Sequence, residues 1–172
     1  MKHFFLSLLL VLLLTAAKSQ TLKKVPITNT GCSLYSFCDL TFDKSYSPDS
    51  SVINIAECGV GDMSYGIICV KLSEGTENLD EAELTLIAYL NYLKSNLKIT
   101  DTVGYGKGHR LKNSEKTRGV IDYWKDSEQN NWKIKGWTDG KFIGVLYGYS
   151  PKELPVAKLD AFLDGFRFPW MK

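Results

Sequence analysis

The sequence predicts an α+β fold: an antiparallel sheet of about six to seven strands covered by two helices, one midway along the chain and one at its C-terminus. Three observations predict it. Short apolar or alternating runs separated by turn residues lie on both sides of residues 78–97. Within residues 78–97 the hydrophobic period changes from two to between three and four. The chain then closes on a second stretch of helical spacing that begins near Pro155. Strands joined by tight turns pair antiparallel, and amphipathic helices need apolar faces to cover.

The first residues, MKHFFLSLLLVLLLTAAKSQ, read as a secretory signal rather than as part of the fold. Lys2 and His3 make a basic start. The apolar run from Phe4 to Leu14 is too short to span a bilayer as a helix, and Ala17 and Ser19 supply the small residues that a signal peptidase reads. Residues 1–19 are therefore expected to leave. Residues 20–172 are expected to form one domain that is secreted or periplasmic, with no stable membrane insertion after cleavage.

Thr21 to Thr30 is polar, contains Pro26 and reads as a loose arm. Phe37 to Asp43 alternates as a half-buried strand does. Ser45 to Ser51 holds Pro48 and Asp49 and reads as a turn. Val52 to Glu57 is a second strand, and Tyr65 to Leu72 a third, apolar enough to be central. Asn78-Leu79-Asp80-Glu81 has the form of a capping box. Leu79, Ala82, Leu86, Leu90, Leu93 and Leu97 then recur on one helical face. Ile99 to Leu111 is glycine-rich and reads as a bent strand. Arg118 to Trp124 is another strand. Trp132 to Trp137 and Phe142 to Tyr149 flank Thr138-Asp139-Gly140-Lys141, a hairpin signal. Val156, Leu159, Phe162 and Leu163 make the stripe of the last helix, with Gly165 as its stop.

In this order of elements the chain resembles the PsbP-like family. The residues that carry the resemblance are the opening hairpin, the Asn78–Leu97 helix, the run GWTDGKFIGVLYGYS from Gly136 to Ser150, and the close LDAFLDGFRF. It covers most of residues 20–172. It implies an αβα sandwich and a non-enzymatic role as an assembly or binding module.

Composition narrows the chemistry. Lys2 and Lys18 belong to the leader, which takes the 21 basic residues down to 19, against 19 acidic ones. Net charge is then zero, so no global basic field exists for nucleic acid, and no nucleic-acid partner is expected. The four cysteines, Cys32, Cys38, Cys58 and Cys69, contain no C-x-x-C pair and read as two disulfides rather than a zinc site. Folding the first two strands back about the Ser45–Ser51 turn puts Cys38 nearly opposite Cys58. The expected bridges are therefore Cys38–Cys58 and Cys32–Cys69. Once His3 has gone, His109 is the only imidazole. No metal or other cofactor is expected.

The most suggestive local sequence is Gly104–Arg118. Lys107, His109, Arg110 and Lys112 sit among glycines, with Glu115 the only acid in the segment. Glycines admit close backbone approach, and cations hold phosphate, sulfate or carboxylate. The phosphate-loop pattern is absent, and a solvated basic strand edge accounts for the same residues. Trp124, Trp132, Trp137, Tyr147 and Tyr149 fall on three neighbouring strands and suit core packing better than a stacking platform. No pair of carboxylates stands out for glycoside hydrolysis.

The function expected is therefore an exported, non-enzymatic binding or accessory module, with no catalytic residue assigned. Its partner would be an unidentified protein or a small anionic ligand. The alternatives are a small hydrolase using His109 as general base, or an anion-binding protein using the Gly104–Arg118 segment. N-terminal sequencing of the exported protein should begin at Gln20; a soluble secreted form that retains residues 4–14 would refute the leader.

Overall fold

The computed structural model describes residues 21–171 apart from Tyr105, so the expected leader at residues 1–19 lies outside the described residues. β1 (Lys23–Pro26) and β2 (Ser33–Ser36) form a two-stranded antiparallel sheet. β3 (Asp43–Tyr46), β4 (Val52–Val60), β5 (Met63–Lys71), β6 (Ile99–Thr102), β7 (Arg118–Asp126), β8 (Asn131–Thr138) and β9 (Phe142–Ser150) form a seven-stranded one. Its order is β3-β4-β5-β9-β8-β7-β6, antiparallel throughout. α1 (Leu79–Asn96) lies between β5 and β6 in the chain, and α2 (Val156–Leu163) follows β9. This is the α+β architecture that the sequence predicts.

Local chemistry sets the turns. At the β8–β9 hairpin the Asp139 carboxylate accepts the backbone N–H of Lys141 at 3.0 Å and of Phe142 at 2.9 Å. Gly140 takes φ +85°, and a Cβ there would lie 2.0 Å from the Thr76 carbonyl oxygen, so only glycine fits. Asn78 caps α1 by accepting from the N–H groups of Asp80 at 3.0 Å and Glu81 at 3.4 Å. The reciprocal half of the expected capping box is replaced by a relay. Glu81 accepts from the Thr76 hydroxyl, which in turn accepts from Asn78 N–H.

Two apolar clusters lie on opposite faces of the sheet. On one, Leu86, Leu90 and Leu93 of α1 pack over Val120, Ile134 and Val145. On the other, Leu159, Phe162 and Leu163 of α2, together with Phe166 and Phe168, cover Tyr65, Ile67 and Leu146. Val156, expected in the α2 stripe, is 55% exposed, because the first turn of the helix reaches past the core. α2 is also fixed by charge. Lys133 Nζ lies 2.8 Å and Lys135 Nζ 3.0 Å from one Asp160 oxygen, and Lys135 bonds both Asp164 oxygens at 2.9 Å. Both lysines are buried.

Three local expectations are corrected. Thr21 to Thr30 is not a loose arm, since β1 pairs there with β2. The strand expected over 37–43 begins only at Asp43. The strand expected from Ile99 to Leu111 ends at Thr102 and gives way to irregular chain and a 3-10 turn, Leu111–Asn113.

Cys38 and Cys58 form the expected disulfide, with Cα atoms 6.1 Å apart. The second expected bridge, Cys32–Cys69, is not formed: both residues are buried thiols. They share the α2-side core, and Cys32 hydrogen-bonds Cys69. That bond and burial push the Cys69 thiol well above its usual value. Exchange needs a thiolate and an approach path, and the core denies both. Alkylation of unfolded, unreduced protein should accordingly label Cys32 and Cys69 and recover Cys38–Cys58 as a linked peptide. Recovery of a Cys32–Cys69 peptide would overturn this assignment.

Candidate functional site

The segment 104–118 does bind an anion, but the anion is the protein's own: the Gly108 N–H donates to the Glu83 carboxylate on α1. Arg110 pairs with Glu115 at 2.7 Å, Arg118 reaches Asp80 at 3.4 Å, and Lys116 lies over the Trp170 ring. Lys107 and His109 are exposed. Lys112 is exposed too, but it lines a cavity of about 410 Å³ together with Tyr35 and Arg167. His109 bridges Gly119 through its backbone, and its ring lies over Gly106, where a Cβ would be 2.3 Å from Nε2. Among the described residues its ring meets no carboxylate or hydroxyl in hydrogen-bond range, the arrangement a general base needs.

A different constellation forms on the α1 face. The register places Glu57 of β4, Gly66 of β5 and Tyr147 of β9 in one row across the sheet. A Cβ at Gly66 would sit 2.1 Å from Tyr147 Cζ. The bare glycine lets the tyrosine ring lie across β5, and its hydroxyl then donates to Glu57 Oε2 at 3.0 Å. In the next row Tyr149 donates to Glu57 Oε1 at 2.9 Å. Trp132 stacks on Tyr149 with ring centroids 4.1 Å apart. The Trp132 indole N–H is used as well, donating to Asp126 Oδ2 at 2.8 Å.

Glu57, Asp126, Trp132 and Tyr149 line a cavity of about 250 Å³ at the C-terminal end of α1, with Glu128 and Lys98 also on its wall. The surroundings shift the two tyrosines and Asp126. Burial, then the Glu57 charge, pushes Tyr147 well above the usual phenol range. Burial likewise raises Tyr149, with the Glu57 bond and charge adding to it and a Ser64 bond working against. Both tyrosines therefore stay neutral donors to the carboxylate. Burial alone would raise Asp126, but hydrogen bonds from Asn130, Trp132 and the Glu128 backbone bring it below its ordinary value. An acid held ionised in this way cannot serve as the proton donor of a two-carboxylate hydrolase.

α1 packs over β6, β7 and β8 and leaves the β4–β5 side of the same face less covered. Ile55 is 39% and Tyr92 63% exposed along that side. A further cavity of about 290 Å³ continues the face between Tyr89 of α1 and Ile53 and Val70 of the sheet. Glu57 is exposed at the surface. Sequence reasoning weighed Trp132, Tyr147 and Tyr149 but missed Glu57. Its only signal was an acid at the end of the strand read over Val52–Glu57, and its partners lie about ninety residues away. Among the described residues no three metal-ligating side chains gather, and no helix is long and apolar enough to cross a membrane.

No protein-family model matches this chain, and no curated protein matches it either.

The tyrosine pair sets an alkaline limit. A group whose folded pKa is raised stabilises fully below its unfolded value, about 10 for tyrosine, and that contribution is lost as pH rises through the folded value. Spectrophotometric titration should show a class of tyrosines that ionises only at strongly alkaline pH, together with unfolding. Glu57→Gln should lower that class toward the ordinary range, and an unchanged titration would show that the carboxylate has no part in it.

Proposed function

We propose that this protein is an exported, non-enzymatic binding or accessory module that engages a cationic side chain of a protein partner at Glu57. One observation carries the reading: a surface carboxylate whose two oxygens are each held by a tyrosine hydroxyl, beside a stacked Trp132–Tyr149 pair. Two fixed donors orient the carboxylate without neutralising it. Its remaining lone pairs are then set for a lysine or arginine, for which charge-assisted bonds are the strong ones. Tyr149 adds a π face of the kind that attracts cations. The half-covered strands beside α1 supply apolar surface on which the rest of a peptide can lie.

Several features support the wider reading. The disulfide suits an oxidising compartment, secreted or periplasmic. A sheet covered by helices on both faces, with a helix midway and another at the end, agrees with the PsbP-like resemblance and with the binding role it implies. A zero net charge over residues 20–172 argues against nucleic acid.

Titration of the protein with a short lysine- and arginine-containing peptide, followed by the indole N–H resonance of Trp132, should saturate and weaken with salt. Glu57→Gln should reduce the affinity about tenfold, the worth of one charge-assisted bond. An acidic peptide of equal length that binds as well, or an unaffected Glu57→Gln variant, would refute the proposal.

A further inference from the structure

The cavity that holds Lys112 lies on the opposite side of the sheet from Glu57 and has its own chemistry. It measures about 410 Å³ and is lined by Leu22, Tyr35, Lys112, Ala161, Asp164 and Arg167. The chain that follows α2 pairs with β2 through Ser33 and Arg167, whose backbones exchange bonds at 2.7 and 3.0 Å, and through Tyr35 N–H to the Gly165 carbonyl at 3.2 Å. This pairing sets the Arg167 guanidinium over the Tyr35 ring, 5.2 Å from its centroid. Nη1 of Arg167 donates to the carbonyls of Asp164 at 2.9 Å and Phe166 at 2.6 Å. The guanidinium is thus locked in place, while its Nε and Nη2 donors have no acceptor among the described residues.

Lys112 is held from its own side. Leu111 is buried in the core, and its N–H donates to the Thr117 hydroxyl at 2.9 Å. Lys112 and Asn113 then take φ +52° and +58°, a left-handed conformation that a lysine adopts only under constraint. The Lys112 ammonium pairs with no carboxylate among the described residues. Asp164 is the one acid on the cavity wall, and both of its oxygens are bonded by the buried Lys135. The wall therefore carries two cations and one carboxylate, whose oxygens Lys135 already bonds, set against an aromatic ring and the apolar side chains of Leu22 and Ala161.

We infer that this cavity is a binding site for a small organic anion, an oxyanion head on an apolar or aromatic body, with Arg167 and Lys112 holding the head and Tyr35 the body. A planar guanidinium with free donors matches the oxygens of a phosphate, sulfate or carboxylate, and a lysine adds a point charge. The volume exceeds what a bare inorganic ion fills and falls within the range of small-molecule sites. Of the four residues singled out in the glycine-rich segment, the site uses only Lys112. Lys107, His109 and Arg110 lie outside its wall.

Phenyl phosphate, phenyl sulfate, benzoate, inorganic phosphate and neutral benzyl alcohol serve as probes, with binding followed by the amide resonances of Tyr35 and Gly165 in the full chain. At least one aryl anion should bind saturably and weaken with salt, and the preferred head group distinguishes phosphate, sulfate and carboxylate. Inorganic phosphate should bind more weakly, and benzyl alcohol should not bind. Lys112→Asn keeps a residue that tolerates the left-handed backbone, so the fold is preserved; it should weaken binding about tenfold, and Lys112→Arg should restore it. Lys107→Gln with Arg110→Gln should leave binding unchanged, as should Glu57→Gln, which separates this site from the one proposed for a protein partner. No saturation by any aryl anion in the millimolar range, equal binding of the neutral probe, or undiminished binding by Lys112→Asn would overturn the assignment.

Discussion

Two buried lysines on β8 constrain the rest of this structure. Lys133 and Lys135 point to the α2 face, where an unpaired ammonium would be prohibitively costly to desolvate. Asp160 and Asp164 of the helix region meet them. The geometry is a match of two repeats: two residues along a strand advance about 6.6 Å, and four along a helix about 6 Å. Burial alone would lower the Lys133 pKa, yet the Asp160 bond leaves it raised. Breaking one partner of a buried pair costs about 3–5 kcal/mol, an upper figure here because both aspartates stay partly in water. The hydrophobic contacts of Leu159 and Phe162 are compatible with small slides of the helix, whereas the ion pairs are not. They therefore fix where α2 ends, and with it where Gly165 to Arg167 joins β2.

On the other face a missing side chain has the equivalent role. Gly66 sits in a central strand, where a glycine weakens the element unless something occupies its space. Tyr147 occupies it, and so crosses β5 to reach Glu57 on β4. Four aromatic and acidic groups from β4, β8 and β9 become one unit by this route. The unit lies where α1 stops covering the sheet, so a polar constellation with buried supports opens onto solvent. Rigid supports beneath an exposed functional atom are what recognition requires, because little order remains to be gained on binding.

The helix α1, its Asn78 cap and the Asp139-Gly140 hairpin were legible because each is written within a few adjacent residues. So was the fold class, which follows from the sequence of periodicities. The β1–β2 pair was not. Its strands are short and polar at one end, and they are held by a tail more than a hundred residues later. The glycine-rich segment misled in the opposite sense: its cations lie close together in sequence, but Arg110 turns to Glu115, Arg118 to Asp80 of α1 and Lys116 to the Trp170 ring, while Lys112 lines the cavity beside Arg167. Glu57 and Arg167 were invisible for a shared reason. Each acquires its setting from strand register or chain pairing, and no local pattern encodes either.

The Cys38–Cys58 bridge spans 20 residues of chain, and β3 lies wholly inside that loop. β3 is an edge strand, short and exposed along its length, bonded only to β4. Such an edge is the usual place for one molecule to exchange a strand with another. Here the exchange is topologically guarded, because β3 cannot leave without drawing with it Cys38, just beyond β2, and Cys58, near the end of β4. The covalent loop thus works as protection against domain swapping and edge-to-edge aggregation, a role separate from any gain in folding free energy.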